Sequence, residues 1–525
     1  MKNKNRFLFL ASGLLSLSTL FTSCSEDALE SKDGLNANAI AEAKVKNDLT
    51  FYALTNNNQL VMYSTSGKVR ETGAVNITGL GSGERILAID FRPATGQLYG
   101  VSNQSLLYVI NQNTGVATRV SNTPFSPAIN GTQVGFDFNP TVDRIRLVTD
   151  ETQNLRLHPE TGARVAIDGN LNPGSPEVVA VAYTNSMAGA TSTTLYDIDV
   201  KTDKLYIQNP PNAGTLVEVG RLNVQAVGEG GFDIAPDNSI AIAALFGRGG
   251  GTENQKEDSN GNKYRFYSID LATGKAMNLG KTDRMIIGVA IPTNPVAYGV
   301  DATNNLLIFN PYNASMVISK PITGLQSGEK VLGIDMRPAT SQLYALGSTN
   351  RIYTVNLATG MFTAVGGPFT PALSGEFFGF DFNPTVDRIR VVSNTGQNLR
   401  LNPITGMVAA VDGMLTQGAS VDASAYTNNF AGATSTMLYN IDYGTDALNL
   451  QSPPNDGVQV MKGSLGVATG PNNGFDIGGV TGTALALLQT GGQSGIYRIN
   501  LSTGTATKVS SLSRMPMSFA LGLGF

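Results

Sequence analysis

The sequence has few or none of several residues that often act as catalytic groups or metal ligands. Its 525 residues contain no tryptophan, one cysteine and one histidine, and only 14% of them are charged. One histidine excludes a zinc or iron centre built from several histidines, and one cysteine excludes an internal disulfide. The net charge is −4, without a basic cluster beyond the first few residues, so no nucleic-acid partner is expected. Because no calcium-loop pattern occurs either, the sequence predicts no metal site and no cofactor.

Long hydrophobic runs are also missing, except near the N-terminus. A basic start precedes an apolar run at 7–20, which is too short to span a bilayer comfortably. Cys24 follows behind small residues, and this pattern resembles the lipobox of bacterial lipoproteins, although Phe21 departs from the usual aliphatic residue. We therefore predict a lipoprotein signal peptide at 1–24 with lipidation of Cys24, followed by a flexible tether at 25–48.

The residues after the cysteine bear on location. Ser25, Glu26 and Asp27 resemble the acidic motif that sends lipoproteins to the outer face of the outer membrane in some Gram-negative lineages. We expect a membrane contact through the N-terminal lipid anchor, with the protein on the cell surface. The periplasmic face of the outer membrane is the alternative.

Glycine, proline and short alternating segments are abundant. There are 59 glycines and 23 prolines, and this composition predicts many strands joined by tight turns and almost no helix. The segments "IYTVNLATGMFTAV" from Ile352 and "IYRINLSTGTATKV" from Ile496 share one plan, in which an Asn-x-x-Thr-Gly turn joins two alternating strands. Hairpins of this kind recur at about 45 to 55 residues, which is the spacing of propeller blades.

The second half of the chain repeats the first. "RPATGQLYGV" returns as "RPATSQLYAL", and "GFDFNPTVDRIR" occurs unchanged from Gly135 and from Gly379. Matching pieces in the same order indicate a tandem duplication. We predict two propeller-like repeat units at 49–292 and 293–525.

Each hairpin is preceded by another strand pair, which makes the four strands of a β-propeller blade. We therefore predict an all-β protein, a β-propeller with about ten four-stranded blades. A lone strand at 517–525 resembles the segment at 286–291, and each can seal a ring. Two five-bladed propellers in tandem are preferred to one ten-bladed ring, because a unit that closes by itself was viable before duplication.

Longer stretches carry a family resemblance. "GFDFNPTVDRIRLVTDETQNLRLHPETG" and its partner "GFDFNPTVDRIRVVSNTGQNLRLNPITG" are similar to the signature of a bacterial family, the domain of unknown function 4394. The resemblance covers nearly the whole mature chain, twice. It supports the unit boundaries and implies no reaction, because the family has no established activity.

The repeated stretch also supplies the candidate ligand-binding residues. Its polar groups alternate with apolar ones along the predicted strands. They can pin one blade to the next through charge-assisted hydrogen bonds, or they can line the channel and receive an anionic or sugar ligand. The turn register decides whether Asp137 lies opposite an arginine or opposite Ile145. The candidates are Asp137, Asn139, Arg144, Arg146, Asn154 and Arg156 in the first half, and Asp381, Asn383, Arg388, Arg390, Asn398 and Arg400 in the second.

No catalytic set is evident. His158 is replaced by Asn402 in the second half, which excludes duplicated histidine chemistry. A glycosidase-like pair such as Asp137 with Asp143 is compatible with the composition, but no spacing requires it. The glycine-rich stretch at 247–262 lacks the Gly-Lys-Ser/Thr ending of a phosphate-binding loop and is predicted to be a solvated insertion.

The sequence therefore favours a binding or scaffolding lipoprotein that presents its propellers to a glycan or protein ligand. The alternative is a carboxylate-dependent enzyme acting on a carbohydrate or lactone-like substrate. A purely structural role in the envelope is a third hypothesis.

Overall fold

The structure, a computed structural model, describes residues 48–247 and 264–525. The predicted signal peptide, the predicted lipidation site at Cys24 and nearly all of the predicted tether lie outside these residues. The glycine-rich stretch lies outside them too, apart from Gly247.

Regular structure in this part of the chain is almost entirely β, as predicted. Besides strands, it contains only two short 3-10 turns, Pro211–Ala213 and Pro454–Asp456. The strands form ten antiparallel four-stranded sheets, each of which is one propeller blade. Within the described ranges, no helix has the length and apolar character needed to cross a membrane.

The first ring contains blades 1 to 5. Blade 1 takes three strands from the start of the chain and one from residues further on. The strands of blades 1 to 3 are β1 (Thr50–Thr55), β2 (Gln59–Ser64), β3 (Arg70–Asn76), β4 (Ile86–Phe91), β5 (Leu98–Ser102), β6 (Leu107–Ile110), β7 (Ala117–Arg119), β8 (Val134–Asn139), β9 (Arg144–Thr149), β10 (Asn154–Leu157) and β11 (Arg164–Ile167). Blades 4 and 5 comprise β12 (Val178–Tyr183), β13 (Leu195–Asp199), β14 (Lys204–Gln208), β15 (Leu216–Arg221), β16 (Ala226–Ile234), β17 (Ala241–Gly247), β18 (Tyr264–Ile269) and β19 (Ala276–Thr282), and β20 (Ile286–Ala290) completes blade 1.

The second ring repeats this order in blades 6 to 10. The strands of blades 6 to 8 are β21 (Ala297–Asp301), β22 (Asn305–Asn310), β23 (Asn313–Pro321), β24 (Val331–Arg337), β25 (Gln342–Gly347), β26 (Arg351–Asn356), β27 (Met361–Val365), β28 (Phe378–Asn383), β29 (Arg388–Ser393), β30 (Asn398–Leu401) and β31 (Val408–Val411). Blades 9 and 10 comprise β32 (Val421–Tyr426), β33 (Leu438–Asp442), β34 (Ala447–Gln451), β35 (Gln459–Ser464), β36 (Gly474–Ile477), β37 (Ala484–Thr490), β38 (Gln493–Ile499) and β39 (Ala506–Ser511), and β40 (Pro516–Leu521) completes blade 6.

Strand pairing confirms two five-bladed propellers and excludes one ten-bladed ring. In the first ring β20 pairs antiparallel with β1, so that Val289 lies opposite Ala53. In the second ring β40 pairs in the same way with β21, and Ala520 lies opposite Tyr298. The inner strands β4, β8, β12, β16 and β20 contact one another in a closed circle, as do β24, β28, β32, β36 and β40. Each ring therefore leaves no open blade edge at its closure point.

Apolar side chains fill the space between neighbouring blades. Tyr99 of blade 2 packs edge-on against Phe138 of blade 3, with the ring centroids 5.2 Å apart. Small residues allow the inner strands to approach closely, since a Cβ on Gly231 would lie 2.4 Å from the backbone nitrogen of Val289. As a result, the channel cavities of the first and second rings measure only ≈ 10 and ≈ 20 Å³.

The two rings also contact each other through the turns that follow their inner strands. Tyr298 Oη donates a hydrogen bond of 2.7 Å to the carbonyl oxygen of Ala94. The phenyl ring of Phe525 lies against Gly96, where a Cβ would be 2.3 Å from it, and Gly96 also has φ of 72°. Only glycine fits this turn, because it needs both a positive φ and a close approach.

Candidate functional site

Each ring gathers three aspartates at its centre. In the first ring they are Asp90 on β4, Asp137 on β8 and Asp233 on β16, and all three are buried. One carboxylate oxygen from each lies within 4.8 Å of the other two. The equivalent group in the second ring is Asp335, Asp381 and Asp476. We call these groups the acidic triads.

Backbone hydrogen bonds hold the triads and join neighbouring blades. Asp90 Oδ2 accepts a 2.8 Å bond from the backbone N–H of Phe138 on the next inner strand. Asp137 Oδ1 accepts one of 3.1 Å from the N–H of Tyr183 on the strand after that. Bonds of the same kind run from Ile291 to Asp233 in the first ring, and from Phe382 to Asp335, Tyr426 to Asp381 and Leu521 to Asp476 in the second.

Burial changes the acidity of these carboxyls. Desolvation raises the pKa of Asp137 well above its usual value, and the charges of Asp90 and Asp233 raise it further. Desolvation also raises the pKa of Asp233 to about 7 and that of Asp476 to about 6. Ionising all three carboxyls at such short distances costs electrostatic free energy, so they either share protons or bind a cation.

Proton sharing fits the triads better than a cation does. Calcium takes about six to eight oxygen ligands, whereas the triad of the first ring supplies three aspartates. Both oxygens of Asp90 and of Asp233 already accept backbone hydrogen bonds. The triads therefore act as proton-sharing, hydrogen-bonded centres that fasten inner strands together.

The register of blade 3 places Asp137 directly opposite Arg146. The side chains of Asp137 and Arg146 nevertheless form hydrogen bonds with different partners. Arg146 donates to Asn154 Oδ1 at 2.7 Å and to Asp168 Oδ2 at 2.6 Å. Its other terminal nitrogen donates to Asn212 Oδ1 of blade 4 at 2.8 Å. Arg146 therefore links blade 3 to blade 4.

Arg156 completes this network. Its Nε and Nη2 donate to the two oxygens of Asp168 at 2.8 and 2.9 Å. The second ring reproduces the arrangement with Arg390, Asn398, Arg400, Asp412 and Asn455. Three of the predicted residues in each ring, the Arg-Asn-Arg set, thus lie at the blade 3–4 boundary or its equivalent, while Asp137 and Asp381 belong to the acidic triads.

The two remaining predicted residues of the motif act within their turn. Asn139 Oδ1 accepts from the backbone N–H of Thr141 at 3.0 Å. Arg144 Nη1 donates to the carbonyl oxygen of Asp143 at 2.7 Å. Asn383 and Arg388 make the equivalent bonds in the second ring. The predicted residues therefore occupy the channel, a blade boundary and a turn, and the structure does not bring them into one pocket.

The single histidine has a structural setting. His158 Nδ1 accepts a 3.2 Å bond from the backbone N–H of Glu160. Desolvation and the charges of Arg144 and Arg92 lower the pKa of His158 to about 4. The imidazole is therefore neutral at neutral pH.

Sequence reasoning missed a charged cluster where the rings meet. The side chain of Arg92 is fully buried, and its Nε donates to Asp143 Oδ1 at 2.9 Å. Its Nη2 bonds Glu160 Oε1 at 2.9 Å, and its Nη1 donates to the carbonyl oxygen of Ser341 in the second ring at 3.1 Å. The repeated "RPAT" motif marks Arg92 in the sequence. A repeat does not show which of its residues contact the other ring, so this cluster could not be predicted from the motif.

Sequence reasoning also missed a cavity between the two rings, which we call the inter-ring cleft. Its volume is ≈ 620 Å³. The first ring contributes Gln97, Tyr99 and residues of the 109–120 hairpin, and the second ring contributes turns that follow its inner strands. These turns include residues of 338–341, 428–432 and 478–482. A cavity of this size lies within the range of small-molecule sites.

Several polar side chains of the cleft wall are exposed, among them Asn113, Thr114 and Thr481. The hydroxyl of Tyr99, by comparison, is buried beside Arg92 and Ser341. Phe430, by contrast, leaves 38% of its surface exposed at the same cavity. The cleft thus combines exposed polar side chains with an accessible aromatic ring.

Both halves match one family model, described as Domain of unknown function (DUF4394), at residues 59–290 and 305–520. The chain belongs to this family. The match confirms the tandem duplication that the sequence predicts. No curated protein matches the chain.

Solved structures show distant similarity. The extracellular domain of a hybrid two-component system from B. thetaiotaomicron has 10% identity and a TM-score of 0.23, over 91% of this chain and 80% of that one. PorZ, a surface component of the type IX secretion system of Porphyromonas gingivalis, has 14% identity and a TM-score of 0.25, over 88% and 60%. Dihydro-heme d1 dehydrogenase NirN has 9% identity and a TM-score of 0.22, over 79% and 72%. Similarity this low carries no functional argument.

Proposed function

We propose that this protein is an envelope-anchored binding lipoprotein whose ligand occupies the inter-ring cleft. The observation that carries the proposal is the contrast between cavities. The cleft offers ≈ 620 Å³ and exposed polar side chains, whereas the channels offer ≈ 10 and ≈ 20 Å³. Binding sites combine a concave volume with a few convergent polar groups, and the cleft has both.

The anchoring part of the proposal rests on the sequence. The apolar run at 7–20 and Cys24 support lipidation, and Ser25, Glu26 and Asp27 support the outer face of the outer membrane. The periplasmic face is the alternative. Replacing Cys24 by serine should release the protein from the membrane fraction, and protease accessibility on intact cells separates the two faces.

The alternative function, a carboxylate-dependent enzyme acting on a carbohydrate or lactone-like substrate, would use the acidic triads. Their raised pKa values are of the kind that general acids need. However, backbone N–H groups already bond the carboxylates, and no substrate fits the channel cavities. The cleft therefore supports binding better than the channels support catalysis.

A blocking variant tests the cleft. Thr481 is exposed and lines the cavity, so Thr481→Trp should fill part of it. Ser502 is equally exposed but lies outside the cavity, and Ser502→Trp is the matched control. Binding of the mature protein to panels of oligosaccharides and uncharged peptides is measured by calorimetry. Loss of binding only in Thr481→Trp supports the proposal, whereas equal binding by both variants, or no binding by the wild type, contradicts it.

A further inference from the structure

We infer that the inter-ring cleft selects a neutral, hydroxyl-rich ligand, namely a short uncharged oligosaccharide. This inference rests on the proposed function and names the ligand class of the same site. It follows from the charge, the hydrogen-bonding groups and the exposed surface of the cavity wall.

The wall is nearly free of charge. Of the described residues that line the cleft, Arg119 alone carries one. Arg119 is already paired, with Glu84 Oε2 at 3.0 Å and the hydroxyl of Tyr108 at 2.7 Å. A charged ligand would find no free counter-charge there, and moving its charge out of water would be costly. The cleft therefore favours an uncharged ligand.

The polar groups of the wall suit hydroxyls. Asn113 and Asn428 present exposed side-chain amides, and Thr114 and Thr481 present exposed hydroxyls. An amide offers both donors and an acceptor, and a hydroxyl can donate and accept. Sugar hydroxyls have the same dual capacity, so they can bond these exposed groups. The exposed ring of Phe430 adds an apolar surface against which a sugar ring can pack.

An extended peptide is the competing uncharged ligand, and the wall suits it less well. Peptides commonly bind by adding a strand to a free sheet edge. Beside the cleft, backbone groups at the outer edge of blade 2 already form hydrogen bonds within the protein. Ala117 donates to the carbonyl oxygen of Thr78, and Thr78 donates to that of Gly115. A peptide would therefore find side chains there in place of an open backbone ladder.

The duplication supplies controls for a sharp test. Thr359 occupies the position equivalent to Thr114 and is also exposed, but it lies outside the cleft. Met187 occupies the position equivalent to Phe430, and it does not line the cleft either. Thr114→Val and Phe430→Ala are therefore the test variants, and Thr359→Val and Met187→Ala are their controls.

The probes are cellohexaose, maltohexaose, mannohexaose and chitohexaose, together with uncharged peptides of similar length. We expect at least one oligosaccharide to bind. Phe430→Ala and Thr114→Val should each weaken its affinity by about tenfold, and the controls should leave the affinity unchanged. Thr114→Val and Thr359→Val should change the thermal stability equally, because each threonine hydroxyl accepts the same 3.3 Å bond from a turn N–H.

Other outcomes separate the two proposals. If uncharged peptides bind and Phe430→Ala or Thr481→Trp abolishes their binding, the cleft is a binding site and the oligosaccharide inference is overturned. If oligosaccharides bind equally well to all variants, the inference and the cleft assignment both fail. If neither class of probe binds the wild type, the proposed function fails with the inference.

Discussion

Asp197 on β13 and Asn440 on β33 occupy equivalent positions in the two rings, but only Asn440 has hydrogen-bond partners. Asn440 Nδ2 donates to Gln451 Oε1 at 2.7 Å, and its Oδ1 accepts from Ser424 at 2.8 Å. Asp197 is fully buried, and neither of its carboxylate oxygens has a partner. The duplicated unit thus kept a satisfied polar group in one ring and an unsatisfied acid in the other.

We predict that Asp197→Asn stabilises the protein. Gln208 stands where Gln451 stands in the second ring, and its Oε1 is also unpartnered, so the new amide can donate to it. Desolvation raises the pKa of Asp197 well above its usual value. The gain should be about 1–3 kcal/mol, and larger at higher pH, because Asp197 then ionises in the unfolded chain while burial opposes its ionisation in the folded protein. Urea unfolding measures the gain; Asn440→Asp is the control and should destabilise the protein. A loss of stability in Asp197→Asn would contradict the prediction.

We predict that the acidic triads make stability fall as pH rises. Their folded pKa values, about 7 for Asp233 and about 6 for Asp476, lie above the unfolded value of about 3.9. The stabilisation is therefore complete below about pH 4 and is lost as pH rises through about 6 to 7.

An amide at Asp137 tests this dependence. Asn can keep the bond from the N–H of Tyr183 and removes one charge from the triad. Asp137→Asn should therefore gain on the order of 1–3 kcal/mol relative to the wild type between about pH 5 and pH 8. Asp90→Asn is the contrasting variant, because both oxygens of Asp90 accept backbone bonds and an amide nitrogen cannot replace one of them. If the free energies of unfolding of Asp137→Asn and the wild type differed by the same amount at every pH, proton sharing would be contradicted.

We predict that Arg146 contributes to stability. Arg146→Ala removes bonds to Asn154, Asp168 and Asn212, and should lower the free energy of unfolding by roughly 3 kcal/mol. Arg144→Ala loses a bond to a turn carbonyl and should change it by less than about 1 kcal/mol. Chemical denaturation of both variants measures these changes in the free energy of unfolding. If Arg146→Ala unfolded like the wild type while ligand affinity collapsed, Arg146 would be a ligand-binding residue.

We predict unequal roles for the duplicated arginines Arg92 and Arg337. Arg92 is fully buried and bonds Asp143, Glu160 and the second ring, whereas Arg337 pairs with a half-exposed Asp387. Burial alone would raise the pKa of Asp143, but Arg92 offsets this effect and the pKa is lowered. Arg92→Met should therefore cost about 2 kcal/mol more than Arg337→Met in thermal or urea unfolding. If both variants lost the same free energy of unfolding, the contact of Arg92 with the second ring would not contribute to stability.

Much of the fold could be predicted because blade formation is local. Asn-x-x-Thr-Gly turns and alternating residues specify each hairpin within a few residues of sequence, and the "GFDFNPTVDRIR" repeat reveals the duplication. The lone strand at 517–525 indicated closure, although it left two rings and one ring both open. The pairing of β20 with β1 decided between them, and this pairing joins residues far apart in the chain.

The candidate site was only partly predictable. The sequence identified Asp137, Arg146 and Arg156, but not their destinations, since the turn at Asp143, with its φ of 51°, sets the register that places Asp137 opposite Arg146.

By itself the sequence determined the strands, the blades and their duplication, because hydrogen-bonded hairpins depend on neighbouring residues. Only the tertiary structure decided which residues meet. Tyr99 and Phe430 line the inter-ring cleft while their equivalents Tyr344 and Met187 do not. A repeat treats equivalent positions alike, whereas the contact between the rings brings together residues that are not equivalent.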